Sequence, residues 1–242
     1  MKVCIYTAIY GGYDYLKEVP EQSLDCDYLC FTDNSDLRKK SQGWEVVVMN
    51  CRLTAGMHPR LKAKYPRILN HHFFTRRPCN LWEHLTCSLS RLRGYDYTIW
   101  IDGGIRILSE TFAQEMIDHI GKYGWSMFVH PVRDCVYTEC EACYDLPKYD
   151  HQPLREQVEY YRSQGYPEHN GLMAGGLIAR EMGNLHLRKI NYDWWQENLR
   201  WSYQDQLSLP YVLWKNDYWY DEIHLNLWDN HLFDMTPHRS DL

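Results

Sequence analysis

Short, continuously apolar segments alternate with helical patterns through the first half of this chain, and this alternation constrains the fold more than any other feature. Strands are predicted at residues 3–9, 28–32, 44–49, 97–101 and 127–129, and helices at residues 59–69, 81–92 and 112–120. Strands that are apolar on both faces must be covered on both faces, which is the arrangement of a mostly parallel sheet flanked by helices. We therefore predict an α/β, Rossmann-like fold.

Polar residues come directly after three of these strands. They are Asp33, Asp102 and His130. The carboxyl ends of parallel strands meet at one edge of a sheet, and ligands bind in the crevice that forms there. The glycine turn at residues 11–12, which follows the first strand, ends at the same edge. The sequence therefore predicts one ligand-binding crevice built from strand ends.

The second half of the chain is less regular. A glycine-rich turn enters a strand over residues 171–180, and helices are predicted at residues 154–164, 191–201 and 203–214. The tail, residues 216–242, is aromatic and rich in histidine but shows no periodicity. A length of 242 residues suits one domain. We therefore predict a single domain over residues 1–242.

Charge and composition exclude several classes of protein. The 26 basic and 32 acidic residues give a net charge of −6, which argues against a nucleic-acid binder or a membrane-surface protein. No apolar run reaches the roughly 18 residues of a membrane-spanning helix, and the first strand is too short for a signal peptide. Aromatic residues make up 15% of the chain, and such rings stack on sugars and nucleobases. Composition therefore leaves an enzyme or a carbohydrate binder.

The nine cysteines are odd in number and scattered, which suits a reducing compartment. We therefore expect a cytoplasmic protein. Cys140 and Cys143 form a CxxC, but no second pair follows at the spacing of a zinc finger, and the motif does not open a helix after a first strand. The sequence thus favours neither a zinc knuckle nor a redox cofactor.

Ionisable residues are concentrated in two segments. In residues 58–67, Arg60, Lys64 and Arg67 recur at helical spacing and form a basic face, which could clamp a diphosphate or be a solvated helix surface. Residues 130–139 mix histidine, arginine, aspartate and glutamate beside an apolar strand. This density of charge is unusual for a simple loop and favours a functional site.

Several stretches together resemble a known family. They are YTAIYGGYD (6–14), CFTD (30–33), HPRLKAKYPRIL (58–69), WIDGGI (100–105), HPVRDCVYTECEAC (130–143) and QDQLSLPYVLWK (204–215). As a set they resemble domain-of-unknown-function family 616, a glycosyltransferase-like group that is similar to GT-A enzymes of the retaining galactosyltransferase and glycogenin clan. The resemblance implies a GT-A-like fold with a nucleotide-sugar-binding half at residues 1–105 and an acceptor and catalytic half at residues 106–242.

The resemblance also implies roles for individual residues. Asp102 matches the first carboxylate of a DxD motif, and Asp205 and Gln206 match an Asp-Gln pair near the reacting sugar. Together with the charged segments and strand ends described above, the resemblance gives the residues predicted to bind the nucleotide sugar, which are Thr7, Ala8, Tyr10, Asp33, Arg60, Lys64, Asp102, Gly103, His130, Arg133, Ala174 and Gly175. By this resemblance the protein is a glycosyltransferase that moves a sugar from a nucleotide sugar, with a UDP-sugar favoured, to a glycan or another hydroxyl acceptor.

The sequence departs from the DxD pattern at one position, because Gly104 stands where the second carboxylate is expected. One possibility is that Asp102 binds Mn²⁺ or Mg²⁺ together with a tail histidine such as His231. The other is that cationic side chains replace the metal, with Arg60, Lys62, Lys64 and Arg133 as the available ones. Both arrangements would neutralise the negative charge of a departing nucleoside diphosphate.

Other parts of the mechanism stay open at this point. If the transfer inverts the anomeric centre, a general base is needed, and the candidates are Asp134, Glu139 and Asp205. The tail tryptophans Trp214, Trp219 and Trp228 could form an acceptor platform or simply pack in the core. Two alternative functions are a metal-assisted hydrolase of ceramidase type, although the histidines form no tight ligand pair, and a non-catalytic carbohydrate-binding protein.

Overall fold

The protein is described by a computed structural model that covers residues 1–49, 54–75 and 94–238. Its strands there are β1 (Val3–Ile9), β2 (Cys26–Thr32), β3 (Glu45–Val48), β4 (Tyr97–Ile101), β5 (Ile105–Ile107), β6 (Trp125–Val129), β7 (Met173–Glu181), β8 (Asp221–Ile223) and β9 (Phe233–Met235). Its α-helices are α1 (Pro59–Ile68), α2 (His71–Phe74), α3 (Phe112–Asp118), α4 (Val136–Tyr144), α5 (Leu154–Ser163), α6 (Leu185–Arg200) and α7 (Asp205–Lys215). Short 3₁₀ helices lie at Ser35–Lys40 and Pro147–Tyr149.

Within the described ranges, a seven-stranded sheet has the order β3-β2-β1-β4-β7-β6-β8. All of its strands run in one direction except β7, which is antiparallel to both of its neighbours. A second, two-stranded antiparallel sheet joins β5 to β9. The predicted mostly parallel, Rossmann-like α/β fold is confirmed.

The sheet is covered on both faces because successive side chains of its strands point to opposite sides and are apolar on both. On one face Tyr6 of β1 and Trp100 of β4 belong to the same buried cluster as residues of α1, α6 and α7. On the other face Ile5 and Ile99 pack in a cluster that includes α3 and the β5–β9 pair. At the end of the sheet, a layer of packed elements therefore stands on each of its two faces.

The bounds predicted for the first strand and for residues 97–101 are confirmed by β1 and β4. The helix predicted at 191–201 is the second part of a longer helix, α6. We did not predict α4, which contains both cysteines of the CxxC, or the short strands β5, β8 and β9. The helix predicted at residues 81–92 lies outside the described residues.

The direction of β7 matters for the site. Because it runs against the other strands, its first residues, Ala174 to Gly176, lie at the edge where β1, β4 and β6 end. Strands from both predicted halves of the chain share this one sheet, and the division into functional halves stays a prediction. In the described part of the chain, no helix combines the length and apolar character needed to cross a membrane.

Candidate active site

The ends of β1, β4 and β6 and the start of β7 form the floor of a cleft of about 590 Å³. Cavities of this size hold small-molecule ligands. One wall comes from α1 and the start of α7, and the other comes from the tail around β9. The predicted site residues that line it are Ala8, Tyr10, Arg60, Lys64, Asp102, His130, Arg133, Ala174, Gly175, Asp205 and Gln206.

Asp102 lies at the centre of this floor, directly after β4, and is partly buried. Its carboxylate accepts a hydrogen bond from the backbone N–H of Gly103 at 2.7 Å, and its own N–H donates to the carbonyl of Gly176 at 2.8 Å. A Cβ atom at Gly103 would lie 2.8 Å from a carboxylate oxygen of Asp14. The glycine is therefore needed so that the turn can pack against the loop that follows β1.

A buried ionic cluster joins α1, α7 and β7. Asp205, the first residue of α7, contacts Lys64 Nζ at 3.0 Å and forms a contact ion pair with Arg67. Arg67 also donates from Nη2 to the carbonyl oxygen of Gly175 at 2.5 Å, and its guanidinium lies 5.7 Å from the ring centroid of Trp100. Arg67 thus reaches across from α1 to the backbone of β7 and fixes the position of Asp205 relative to the floor.

The charges of this cluster shift the pKa values of its members. Burial alone would raise the pKa of Asp205, but Arg67 and Lys64 outweigh burial and hold that pKa below its usual value. Burial lowers the pKa of Lys64 to about 8, although Asp205 opposes the shift. Asp205 is therefore an ionised carboxylate at neutral pH, whereas Lys64 loses its charge at mildly alkaline pH.

A second polar cluster lies in the segment after β6, of which residues 130–133 line the cleft. His130 Nδ1 accepts a hydrogen bond from the backbone N–H of Arg133 at 2.9 Å, so the proton of the neutral ring lies on Nε2. Burial, assisted by Arg133, lowers the pKa of His130 and keeps the ring neutral. Glu139 is 2% exposed and accepts from Arg133 Nε at 2.5 Å and from Gln204 Nε2 at 3.0 Å. Glu139 therefore orients Arg133 and Gln204, which line the cleft, while its own carboxylate is buried beneath the cleft surface.

The N-terminus of α1 and the loop after β1 close the cleft between its two walls. The guanidinium of Arg60 lies 4.2 Å from the ring centroid of Tyr13, and the ring of His58 stacks on Tyr203 with centroids 5.1 Å apart. Lys148 lies on the rim beside Tyr149. The first turns of α1 and α7 both face the cleft, and the N-termini of helices attract anions. Side chains and helix ends thus make this side of the cleft suitable for an anion.

Some predicted site residues lie elsewhere. Thr7 is buried below the floor. Asp33 accepts from the N–H of Gly11 at 3.2 Å, on the far side of the loop after β1. Asp134 is exposed and contacts His169 at 2.8 Å, outside the cleft lining.

His231, the tail histidine proposed as a partner of Asp102, instead contacts Glu115 of α3 at 3.1 Å and does not line the cleft. The tail histidine that does line it is His238, seven residues further along the chain, so the structure brings His238 and not His231 to the Asp102 turn. Its Nδ1 lies 2.6 Å from a carboxylate oxygen of the buried Asp14. A Cβ atom at Gly104 would lie 3.1 Å from its ring.

Sequence reasoning also missed residues that the cleft contains. Arg67 belonged to the predicted basic helix face but was not assigned to the site, although the i, i+4, i+7 spacing from Arg60 through Lys64 places all three on one side of α1. Lys148 belongs to no motif, and Gln204, the first residue of the stretch QDQLSLPYVLWK, was assigned no role. The tertiary structure brings Lys148 and Gln204 to the cleft.

Cys140 and Cys143, the cysteines of the CxxC, are buried in α4. Burial raises the pKa of each thiol to about 12, so both stay protonated at neutral pH. In the described ranges, no three side chains of His, Cys, Asp or Glu converge so as to hold a metal ion by themselves.

Comparisons with known proteins identify the family of this chain. A search of curated proteins found no match. Among similar solved structures is the apo structure of WbbM, a bifunctional glycosyltransferase, with 10% sequence identity, a TM-score of 0.45, and coverage of 89% of this chain but 37% of that one. A family model described as the TOD1/MUCI70 glycosyltransferase-like domain matches residues 1–236. Since that match spans nearly all of the sequence, the chain belongs to the TOD1/MUCI70 glycosyltransferase-like family.

Proposed function

We propose that this protein transfers a sugar from a nucleotide-sugar donor, with a UDP-sugar favoured, to a hydroxyl group of a glycan acceptor. The observation that carries the proposal is that Asp102, the ionic cluster around Asp205 and the cations Arg60, Arg133 and Lys148 all line one cleft. A departing nucleoside diphosphate develops negative charge, and preorganised cations stabilise that charge where water is excluded. The GT-A relationship is part of the same proposal.

The donor is placed with its diphosphate at the cationic side of the cleft, near Arg60 and the first turn of α1. Its base and ribose then lie at the Tyr10 loop and towards Asp33. A smaller cavity of about 260 Å³ beside this loop is lined by Gly12 and Asn34, and not by Tyr10 or Asp33 themselves. His130, which carries its proton on Nε2 when neutral, supplies a hydrogen-bond donor rather than a base.

In this proposal Asp205 orients hydroxyl groups of the donor sugar and stabilises positive charge that develops at its anomeric carbon. A carboxylate whose pKa is held low is a weak general base, so Asp205 is not assigned that role. Asp134 lies outside the cleft. The carboxylate of Glu139 is buried and already accepts hydrogen bonds from Arg133 and Gln204. None of the three carboxylates considered as a base therefore receives the acceptor proton in this proposal. As the bond from the anomeric carbon to the diphosphate breaks and the bond to the acceptor oxygen forms, the departing diphosphate oxygen takes that proton.

A divalent cation fits the residues at the Asp102 turn if the donor completes its coordination. Asp102 supplies a carboxylate, and His238 supplies an imidazole whose Nδ1 is bound to Asp14, as in the carboxylate–histidine arrangements that orient metal ligands. Magnesium sites of phosphate-transfer enzymes similarly combine one or two carboxylates with substrate phosphates. When bound, Mn²⁺ or Mg²⁺ would add positive charge next to the diphosphate.

The proposal predicts stabilisation by a nucleotide. UDP at about 100 times its dissociation constant should stabilise the fold by about 2.7 kcal/mol, which raises the melting temperature by about 5–10 °C. The measurement is differential scanning fluorimetry with UDP, GDP and CMP, each with and without Mn²⁺. We expect Mn²⁺ alone to change little and to increase the effect of UDP.

The controls are Asp102→Asn, which should remove the added effect of Mn²⁺, and Asp118→Asn on the outer face of α3, which should not. If no nucleotide shifts the melting temperature, the transferase proposal fails, and a hydrolase or a carbohydrate-binding protein takes its place. The cytoplasmic location expected from the cysteine content stays a prediction.

A second prediction concerns pH. Lys64 has a pKa of about 8, so its positive charge is present below pH 8 and is lost as the pH rises through that value. If only the protonated form attracts the diphosphate, UDP affinity should fall about tenfold between pH 7 and pH 9. Isothermal titration calorimetry at pH 7, 8 and 9 measures this.

Lys64→Arg is the matched control, because arginine keeps its charge throughout this range. Its UDP affinity should change by less than about twofold over the same interval. An equally steep fall in the Lys64→Arg variant would mean that another group titrates.

A further inference from the structure

A tryptophan side chain lines the tail wall of the cleft yet is mostly in solvent. Trp228 is 63% exposed. Leu227, also on the lining, is partly buried against the core layer that holds the β5–β9 pair, and Met235 of β9 is 51% exposed. This apolar ledge, defined by Leu227, Trp228 and Met235, therefore belongs to the same cleft as the cationic residues.

The other two tail tryptophans are placed differently. Trp214 packs at the end of α7 with ring centroids 5.4 Å from Tyr166, and Trp219 stacks on Tyr220 at 5.1 Å. Neither lines the cleft. Of the three tryptophans that the sequence offered as an acceptor platform, Trp228 alone has the required position.

The loop that carries Trp228 is held in place by its own hydrogen bonds. The N–H of Trp228 donates to Asn226 Oδ1 at 3.0 Å, and Asn230 Nδ2 donates to the carbonyl of Asn226 at 3.0 Å. Asn230 Oδ1 accepts from the N–H of Leu232 at 3.0 Å, and Leu232 is fully buried. The backbone is thus fixed while the indole is presented to the cleft, which lowers the entropy lost when a ligand stacks on it.

The two walls lie on opposite faces of the sheet. Lys64 and Arg67 extend from α1, which packs on the layer containing Trp100, whereas Leu227 packs on the layer containing Ile105. An anionic donor is drawn to the cationic wall. The acceptor approaches the donor from the opposite wall. It must present an apolar face to the indole of Trp228 and a hydroxyl group to the donor, and a pyranose ring has both.

We infer that Trp228 is the stacking platform for a sugar ring of the acceptor, and that this ring belongs to an uncharged oligosaccharide. The inference rests on the proposed function, since it assigns the second substrate of the same cleft. The side chains that this wall presents there are apolar, so recognition at the ledge depends on stacking and not on charge.

The test uses an array of uncharged α- and β-linked hexose and pentose oligosaccharides of two to six units. The protein should bind at least one of them, and calorimetry with that oligosaccharide should show at least tenfold weaker binding by Trp228→Ala. Trp228→Tyr, which keeps a flat ring, should retain most of the affinity. The matched control is Trp214→Ala, which removes an indole outside the cleft and should leave oligosaccharide affinity unchanged.

UDP-induced stabilisation of each variant separates this inference from the proposed function. Loss of oligosaccharide binding by Trp228→Ala with an unchanged UDP effect supports the platform. The inference is overturned if Trp228→Ala binds the oligosaccharide as tightly as the unaltered protein does. It is also overturned if UDP stabilises the unaltered protein but no uncharged oligosaccharide on the array binds to it. If UDP does not stabilise the unaltered protein, the proposed function fails first.

Discussion

Replacement of Asp205 by asparagine is expected to lower the rate of sugar transfer by roughly 100- to 1,000-fold, while UDP binds as tightly as before or more tightly. The variant keeps the shape of the side chain but removes an ionised, buried carboxylate that faces the cleft. Arg67 then loses its counter-charge and attracts a diphosphate more strongly. We expect this gain to outweigh the fall in the pKa of Lys64, which Asp205 no longer raises. Turnover with a nucleotide sugar and calorimetric UDP affinity are the two measurements.

The opposite movement of these two quantities separates a role at the reacting sugar from a structural role, which would weaken both together. Asp134→Asn is the matched control, because it makes the same chemical change at an exposed carboxylate outside the cleft. It should leave both quantities unchanged. Unchanged turnover in a folded Asp205→Asn protein would remove this residue from the catalytic set, and a parallel loss of UDP affinity would assign it a structural role.

The regular part of the fold could be predicted from sequence because its signals are local. β1 and β4 are continuous apolar runs with polar residues at their ends, so their bounds follow from composition. The direction of β7 could not be predicted in this way, because an apolar strand has the same pattern in either direction. The strands β5 and β9 are only three residues long and depend on pairing with each other across more than 120 positions.

The candidate site was predictable where a strand end or a motif marked it, as at Asp102 and Asp205. It was not predictable where burial decides the role of a charged side chain. Glu139 looked like a catalytic carboxylate in sequence, but the structure buries it against Arg133 and Gln204. The sequence suggested a tail histidine such as His231 and gave no reason to prefer His238, which lies at the Asp102 turn because β5 pairs with β9. Such distinctions depend on tertiary contacts that no local pattern contains.

The tightest packing in the cleft predicts the second large effect, at Gly175. A Cβ atom there would overlap Arg67 Nη2, so Gly175→Ala must displace the guanidinium from the Gly175 carbonyl and from Asp205. Partial loss of a buried ion pair is costly, because the charges stay buried without compensation. We expect the free energy of unfolding to fall by about 3 kcal/mol and the melting temperature by about 6–12 °C.

The transfer activity of Gly175→Ala should also fall, because Asp205 no longer has a fixed position. We expect a loss of at least about 100-fold at a temperature where the variant is fully folded. The neighbouring glycine provides the control. A Cβ atom at Gly176 would meet nothing closer than Ile105 Cδ1 at 3.7 Å, which is ordinary van der Waals contact, so Gly176→Ala should change the melting temperature by less than about 3 °C. If both variants lose the same stability, β7 tolerates no side chain at either position, and the clash with Arg67 is not the cause of the loss in Gly175→Ala. If Gly175→Ala keeps full activity, the Arg67–Asp205 contact does not position the catalytic carboxylate.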